Sequence, residues 1–300
     1  MATAVGTAAP GRRRGSTLLL LVRVFTRRPS RLIGLVIVLG FAAMAIFGPY
    51  MYGGLLPVDP LNIYAKPSLE HPLGTDFAGT DVLALIVRGA RYVLAAAALA
   101  AVIHVVVGTA FGLVSGYYLG VTDSVLMRIT DFALTVPSFP LLIVLSTIWD
   151  FGSAAAMGFV LGIVGWGALA RAVRSQALSL RERGFIEAAR GLGLSPTHIV
   201  FRELLPNVAP YIAMNLLLSV TAAIYAEVGL FFLGVVPFGT DNWGVMLNLA
   251  VFQAGAITST EALTYLLSPL VAILLITLGV VLILDAIDEL FNPRLREAYR

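Results

Sequence analysis

Ionisable and nucleophilic side chains are sparse in this chain of 300 residues, and their spacing excludes most bond-making chemistry. Cysteine is absent, which removes disulfides, thiolate nucleophiles and Cys-ligated metals. The three histidines, His71, His104 and His198, lie far apart in sequence and suggest no metal site. No paired carboxylates or histidine cluster falls within an apolar stretch, so the constellation that a membrane-embedded enzyme requires is not visible. Nucleotide hydrolysis needs a glycine-rich loop ending in lysine. The only lysine, Lys66, follows Ala65, so the sequence offers no standard phosphate-binding loop. Two features remain. One is Glu227 inside an apolar run, where an ionised carboxylate is costly and functional by default, although a bound proton or a hydrogen bond to a neighbouring helix explains it as well. The other is the Arg-rich run Glu187 to Asn207, whose chemistry is docking.

That run reads as helix, turn, helix. At about 100° per residue, Phe185, Ile186, Ala189 and Leu192 form one apolar stripe while Glu187, Arg190 and Gly191 face away. Gly193 supplies the left-handed conformation that ends the first helix, and Ser195-Pro196 supplies an N-cap followed by proline at the first position of the second. Pro206 is expected to block continuation of that helix. Ala188 and Ala189 are small enough for another backbone to approach. A solvated amphipathic connector, with Arg183–Glu187 and Glu187–Arg190 as intrahelical pairs worth a few tenths of a kcal/mol, fits the same pattern.

The surroundings are oily. Apolar types make up 59% of the chain and charged types 12%, with a mean hydropathy of +0.92, values of a polytopic membrane protein rather than a soluble domain. A bilayer core takes roughly 20 apolar residues as helix. Six stretches approach that length: Leu32–Tyr50, Tyr92–Leu119, Phe132–Trp149, Phe151–Ala170, Val208–Gly234 and Leu263–Leu284. With no water to bond, each must be helical, and the third and fourth should form a tight hairpin around Asp150. Residues 1–31 read as a basic tail including Arg12, Arg13 and Arg14, 32–50 as the first, uncleaved span, 51–91 as an outer segment, 92–290 as a five-helix core carrying the docking loop at 171–207, and 291–300 as a C-terminal tail. Arginines cluster before the first span, between the fourth and fifth, and after the last; the alternate loops hold only Lys66, Arg88 and Arg91 as cations. Both termini are therefore expected in the cytoplasm. Gly108, Gly112 and Gly116 are spaced for close helix packing. Pro137 and Pro140 are expected to kink span three, and His104 reads as a buried, hydrogen-bonded histidine in span two.

Glu187-Ala188-Ala189, then Gly193, then Leu205-Pro206 resembles the EAA loop of ABC importer permeases. From about residue 30 onward the chain also resembles the C-type permeases of dipeptide and oligopeptide importers, in order: His71-Pro72-Leu73-Gly74-Thr75-Asp76, Gly79, Asp81-Val82-Leu83, Gly89-Ala90-Arg91, Met127-Arg128-Ile129-Thr130-Asp131, Pro137-Ser138, Arg181-Glu182-Arg183, Phe201-Arg202, Pro206-Asn207, Ala226-Glu227, Phe232-Leu233-Gly234, Trp243-Gly244 and Asn292-Pro293-Arg294-Leu295. Thr80 stands where that family usually has arginine, and the second proline, Pro140, is worded as in oligosaccharide-handling relatives.

The resemblance implies an all-α integral membrane protein of six transmembrane helices, non-catalytic and binding no cofactor itself, in a prokaryotic plasma membrane. ATP and Mg would sit on two separate ABC ATPase subunits gripping the loop at Glu187, Ala188, Ala189, Arg190, Gly191, Gly193, Ser195 and Pro196. A second permease would complete the pathway, and an extracytoplasmic solute-binding protein would deliver cargo, meeting His71, Gly74, Asp76 and Asp81; the same outer segment also reads as a folded cap over the outer mouth. Beyond membrane lipid no further partner is implied, and none of nucleic acid. Peptides, oligosaccharides and nickel complexes are all handled by relatives of this group. Glu227, Pro137 and His104 are the pathway or packing candidates. An ion-coupled secondary transporter is the rival architecture, and it usually needs several embedded ionisable groups or inverted repeats.

Overall fold

The computed structural model describes residues 24–26, 28–149, 151–237, 241–258 and 260–291. The arginines of the N-terminal tail up to Arg23, Asp150 at the expected hairpin, and the 292–300 tail lie outside them. Helices account for the regular structure of the described residues: α1 (Pro29–Met51), α2 (Val82–Tyr118), α3 (Gly120–Thr135), α4 (Ser138–Ile148), α5 (Ala154–Gly165), α6 (Gly167–Arg181), α7 (Gly184–Gly191), α8 (Pro196–Phe232), α9 (Trp243–Gln253) and α10 (Leu263–Phe291). Four of them, α1, α2, α8 and α10, are long and apolar enough to cross a membrane. The bent pairs α3–α4 and α5–α6 bring the number to six if each is one span.

Helix α2 is the axis. Its 37 residues extend for about 55 Å, well beyond a hydrocarbon core of about 30 Å. It begins ten residues before the expected Tyr92, because Asp81 caps it, accepting from the Ala84 amide at 2.9 Å; Arg88 and Arg91 lowered the local hydropathy without breaking the helix. The chain then reverses through Leu119 and Gly120, both with positive φ, straight into α3.

Along α2 runs a seam of close approaches to α5 and α6, and the two sides take turns supplying glycine. In the first half α5 provides it: a Cβ on Gly158 would lie 2.6 Å from the Ala96 carbonyl oxygen, and one on Gly162 would lie 2.6 Å from Ile103 Cβ. In the second half α2 provides it. Cβ atoms on Gly108, Gly112 and Gly116 would lie 3.0, 2.6 and 2.6 Å from the Cβ atoms of Leu169, Val173 and Ala177. These are the packing glycines of the sequence pattern, and they join spans that run in parallel.

Prolines act differently from expectation at two places. Pro137 does more than kink a span: Val136 before it is extended (φ −82°, ψ 120°), as a pre-proline residue prefers, and α3 and α4 diverge by 81°. Pro140 lies in the first turn of α4, where a missing N–H costs nothing, and adds no break. Pro206, expected to stop its helix, lies within the continuous α8. Ahead of it, Ile199–Leu204 forms a wider π-helical stretch, with the Leu205 amide bonded to the Val200 carbonyl; the looser turn absorbs the clash between the proline ring and the preceding carbonyls.

Two apolar cores result. The larger gathers α1, α2, α5, α8, α9 and α10 around Phe41, Val93, Met157, Phe231, Trp243 and Tyr265. The smaller joins α2, α6, α7 and α8 through Tyr117, Val173, Ile186, Ile199, Leu204 and Val208. The start of α1 and the end of α10 meet on one face, where the buried Arg31 guanidinium donates to Glu289 and to the Val24 carbonyl.

Gly112→Leu drives a side chain into Val173 and the Ala170 carbonyl, and is expected to cost about 1–3 kcal/mol. Gly40, with nothing within 4 Å of its added Cβ, should accept alanine within about 0.5 kcal/mol. Thermal unfolding of the detergent-solubilised variants measures both; equal midpoints would remove the seam from the account.

Candidate functional site

The candidate docking element is α7 and the turn after it. Eight residues long, α7 ends in a Schellman motif: Leu194 N–H bonds to the Ala189 carbonyl at 3.2 Å and Gly193 N–H to the Arg190 carbonyl at 2.9 Å, with Gly193 at φ +73°. Ser195 Oγ then caps the start of α8, accepting from the His198 amide at 3.3 Å, with Pro196 following.

Only Ile186 and Ala189, one turn apart, enter the smaller core, at 0% and 6% exposure. Phe185 and Leu192, expected in the same stripe, are 41% and 79% exposed, because so short a helix lying on a surface seats a single turn. Ala189 faces inward, away from any partner, whereas Glu187, Ala188, Arg190, Gly191, Gly193, Ser195 and Pro196 are exposed. The intrahelical ion pairs of the connector reading are not formed. Arg190 sits instead over the Tyr117 ring, 5.4 Å from its centroid, at the end of α2, and Glu187 forms no ion pair among the described residues.

Helix α7 continues from α6, which is tied to α3. Arg174 grips Asp123 with two nitrogens at 2.6 and 2.5 Å, and Arg171 pairs with Asp131 at 2.7 Å. Sequence reasoning did not pair these residues, since 51 and 40 positions separate them.

In the larger core Glu227 is fully buried and has a partner: its Oε1 accepts from Asn242 Nδ2 at 2.6 Å, while Oε2 has none. Asn242 Oδ1 in turn caps α9, accepting from the Gly244 amide at 2.7 Å. Trp243 Nε1 donates to the Ile86 carbonyl of α2 at 3.0 Å, and its ring meets Phe41 of α1 edge-on at 5.8 Å. Gly244 is pressed on α8, where a Cβ would lie 2.5 Å from the Val228 carbonyl oxygen. One polar node thus fastens α9 to α8, α2 and α1. Asn242 escaped sequence reasoning, although an Asn before Trp-Gly and an apolar run is a capping signal. Phe139, two residues past Pro137, packs on Gly229, two residues past Glu227. His104 lies elsewhere, half-buried against Gly165 at the 50° bend between α5 and α6.

The four outer candidates are occupied in folding the segment before α2. His71 Nδ1 lies 2.9 Å from Asp81 Oδ2, and Asp81 caps α2. Asp76 Oδ1 accepts from the amides of Ala78 and Thr80 at 2.9 and 2.8 Å. Gly74, at φ +75°, would put a Cβ 2.3 Å from the Ala65 carbonyl oxygen. Burial, and then the Asp76 carboxylate, push the Tyr64 hydroxyl above its ordinary range. The segment exposes Leu55, Leu61 and Leu69, each more than 90% exposed, beside the exposed Asn62, Lys66 and Glu70. Among the described residues no three His, Asp or Glu side chains group as metal ligands would.

Long apolar helices and two broken ones define a polytopic membrane subunit, with a short capped helix, α7, and its turn between two of them. Residues 108–297 match the model of the family described as binding-protein-dependent transport system inner membrane component, and the chain belongs to that family. The oligopeptide transport system permease protein OppC of Bacillus subtilis is 31% identical over 282 residues, covering 91% of this chain and 88% of the relative. OppC of Mycobacterium tuberculosis is 35% identical over 254 residues, 84% of each chain. The protein is thus an ABC-importer permease component, multi-pass in a prokaryotic plasma membrane.

Asn242→Ala removes the cap of α9 and leaves Glu227 without its donor, an expected cost of about 2–4 kcal/mol. Glu227→Gln keeps the acceptor and should stay within about 1 kcal/mol. Unfolding midpoints that rank the two variants in the opposite order would dissolve the node.

Proposed function

We propose that this chain forms one half of a peptide-translocation pathway, paired with a second permease and driven by two separate ATPase subunits that grip Glu187–Pro196 on the cytoplasmic face. The carrying observation is the anchoring of α7. Its exposed face is free for a partner, and Ile186 and Ala189 are wedged among α2, α6 and α8, so a push on α7 displaces three spans together. From α6 the displacement passes through Arg174–Asp123 and Arg171–Asp131 to α3 and the broken span beyond it. ATP and Mg, held by the partner chains, enter only through that push. ATP must bind the closed ATPase pair more tightly than the open one, since a ligand moves an equilibrium only by its differential affinity.

Both termini face the cytoplasm in this reading, supported by the arginine distribution and by the Arg31–Glu289 contact between the two ends. A solute-binding protein delivers cargo to the outer segment and meets its exposed leucines rather than the inward-turned His71, Gly74, Asp76 and Asp81. Peptide cargo is favoured by the relatives named for oligopeptide transport. The chain itself performs no catalysis.

Reconstitution tests the cargo. Proteoliposomes holding the complete transporter, given its binding protein, ATP and a library of random tri- to pentapeptides, should accumulate peptides that mass spectrometry detects in the lumen; import of cello-oligosaccharides or a nickel complex with no peptide would replace this reading. Glu187→Lys, Gly193→Asp and Ile186→Ala should each insert in the membrane normally yet lower uptake per ATP by about tenfold or more. Wild-type coupling in all three would remove α7 from the drive train. Leu61→Asp with Leu69→Asp should weaken binding-protein affinity by about tenfold, read by titration on the reconstituted complex, and unchanged affinity would move the docking surface elsewhere.

A further inference from the structure

Helix α2 is enclosed over most of its surface, yet one stripe stays open: Arg91, Ala95, Ala98, Val102, Val106 and Ala110 are all exposed, at helical spacing. Elsewhere the open surface of the bundle is bulky, with Leu32, Ile33, Leu39 and Phe47 on α1 and Leu274 on α10, as suits contact with acyl chains. The outer part of the α2 stripe carries alanine instead and leaves room. A cavity of about 600 Å³ lies over it among α1, α2, α8 and α10. A second of about 600 Å³ lies between α2 and α5, and a third of about 300 Å³ lies beneath the Gly53–Gly54 turn. Arg91 lines all three.

Its neighbour is engaged. Arg88 pairs with Asp241 at 2.7 Å and donates to the Gly54 carbonyl at 2.9 Å. Arg91 makes no hydrogen bond or ion pair with any described residue. A guanidinium is a planar fork of donors matched to a carboxylate, and the contact strengthens where walls exclude water. Beneath it the cavity among α1, α2, α8 and α10 is lined, Tyr50 and Arg91 apart, by alkyl side chains, suited to amino-acid side chains and lacking the many polar partners a neutral sugar would need.

We infer that Arg91 is a cargo-contacting residue that takes the C-terminal carboxylate of the incoming peptide at the head of the open α2 stripe. The assignment rests on the peptide-import reading and gives it a chemical criterion, a free carboxylate.

The complete transporter in proteoliposomes, supplied with the same random peptide library, tests it through lumenal peptide per ATP hydrolysed. Arg91→Gln is expected to lower this ratio by about tenfold or more, the effect of losing one charge-assisted contact, while Arg91→Lys, which keeps the charge but loses the fork, recovers part of that loss. A Gln variant within about twofold of wild type overturns the assignment, as does a Lys variant no better than Gln, which would leave the positive charge without a role. Loss of a copurified phospholipid from Arg91→Gln in native mass spectrometry, with import intact, overturns it in favour of a lipid site. A wild-type complex that imports no peptide sinks the peptide reading and this assignment with it, whereas wild-type import matched by Arg91→Gln rejects the assignment alone.

Discussion

The seam between α2 and the α5–α6 pair is the constraint from which the rest of the bundle follows. Lipid offers helices no hydrophobic reward for meeting, so close backbone approach and van der Waals contact must hold them together. Glycine makes that approach possible, but a helix lined with glycine throughout would lose stability through backbone entropy. The chain divides the burden: Gly158 and Gly162 on α5 serve the first half of the seam, and Gly108, Gly112 and Gly116 on α2 serve the second. The exchange falls at the 50° bend, where Gly165 meets His104. Helix α2, unbroken from Val82 to Tyr118 while its partner bends, also touches α1, α3 and α8, and it and α8 are both represented in the two apolar cores.

Those cores differ in how firmly they are closed. The larger contains a buried polar node in which the Glu227 side chain binds Asn242, Asn242 caps α9, and Trp243 bonds to the backbone of α2. In a low-dielectric interior such bonds are costly to break singly, so the node fixes one arrangement of α1, α2, α8 and α9. The smaller core is held by apolar side chains and bordered by the π-helical stretch of α8, the left-handed Gly193 and the bend before α6, whereas the larger one adds to its own π-helical stretch, Leu249–Gln253 in α9, this hydrogen-bonded node.

Much of this was legible in the sequence, and what was not has physical causes. Span content followed from apolar run length, and the Gly193 and Ser195-Pro196 devices from local backbone chemistry, which depends on few neighbours. The helical turns of α2 before the apolar run at Tyr92 were not legible because hydropathy averages a window, and Arg88 and Arg91 weigh against a helix that Asp81 nonetheless caps. Pro206 was read by its intrinsic effect, yet the π-helical stretch before it, stabilised by the packing of Ile199, Val200 and Leu204, accommodates the ring. The partners of Glu227, Asp123 and Asp131 are long-range, and no periodicity reports which of several arginines or asparagines will arrive. His71, Asp76 and Asp81 looked like surface recognition groups because they are polar and lie outside the spans. Their roles as caps and turn acceptors appear only once Gly74 and Gly79 fold the segment back on itself.

The contrast between the two cores argues for the direction in which displacement travels. In the proposed reading a push on α7 reaches α2, α6 and α8 at the ends that form the smaller core, and the same α2 and α8 are clasped at their other ends by the Glu227 node. Rods fixed at one end and moved at the other pivot, so the inner half should swing further than the outer. The Arg174–Asp123 fork then decides what swings with it. Two charge-assisted bonds in a planar geometry resist rotation better than a single contact, and they bind α3 to α6 just past the bend of that span. Beyond α3 the break at Val136–Pro137 releases α4, whose Phe139 rests on Gly229 near the clasped end of α8. Helix α3 can therefore follow the inner lever while α4 stays with the outer node, and the 81° break between them becomes the joint at which inner motion and outer restraint are reconciled.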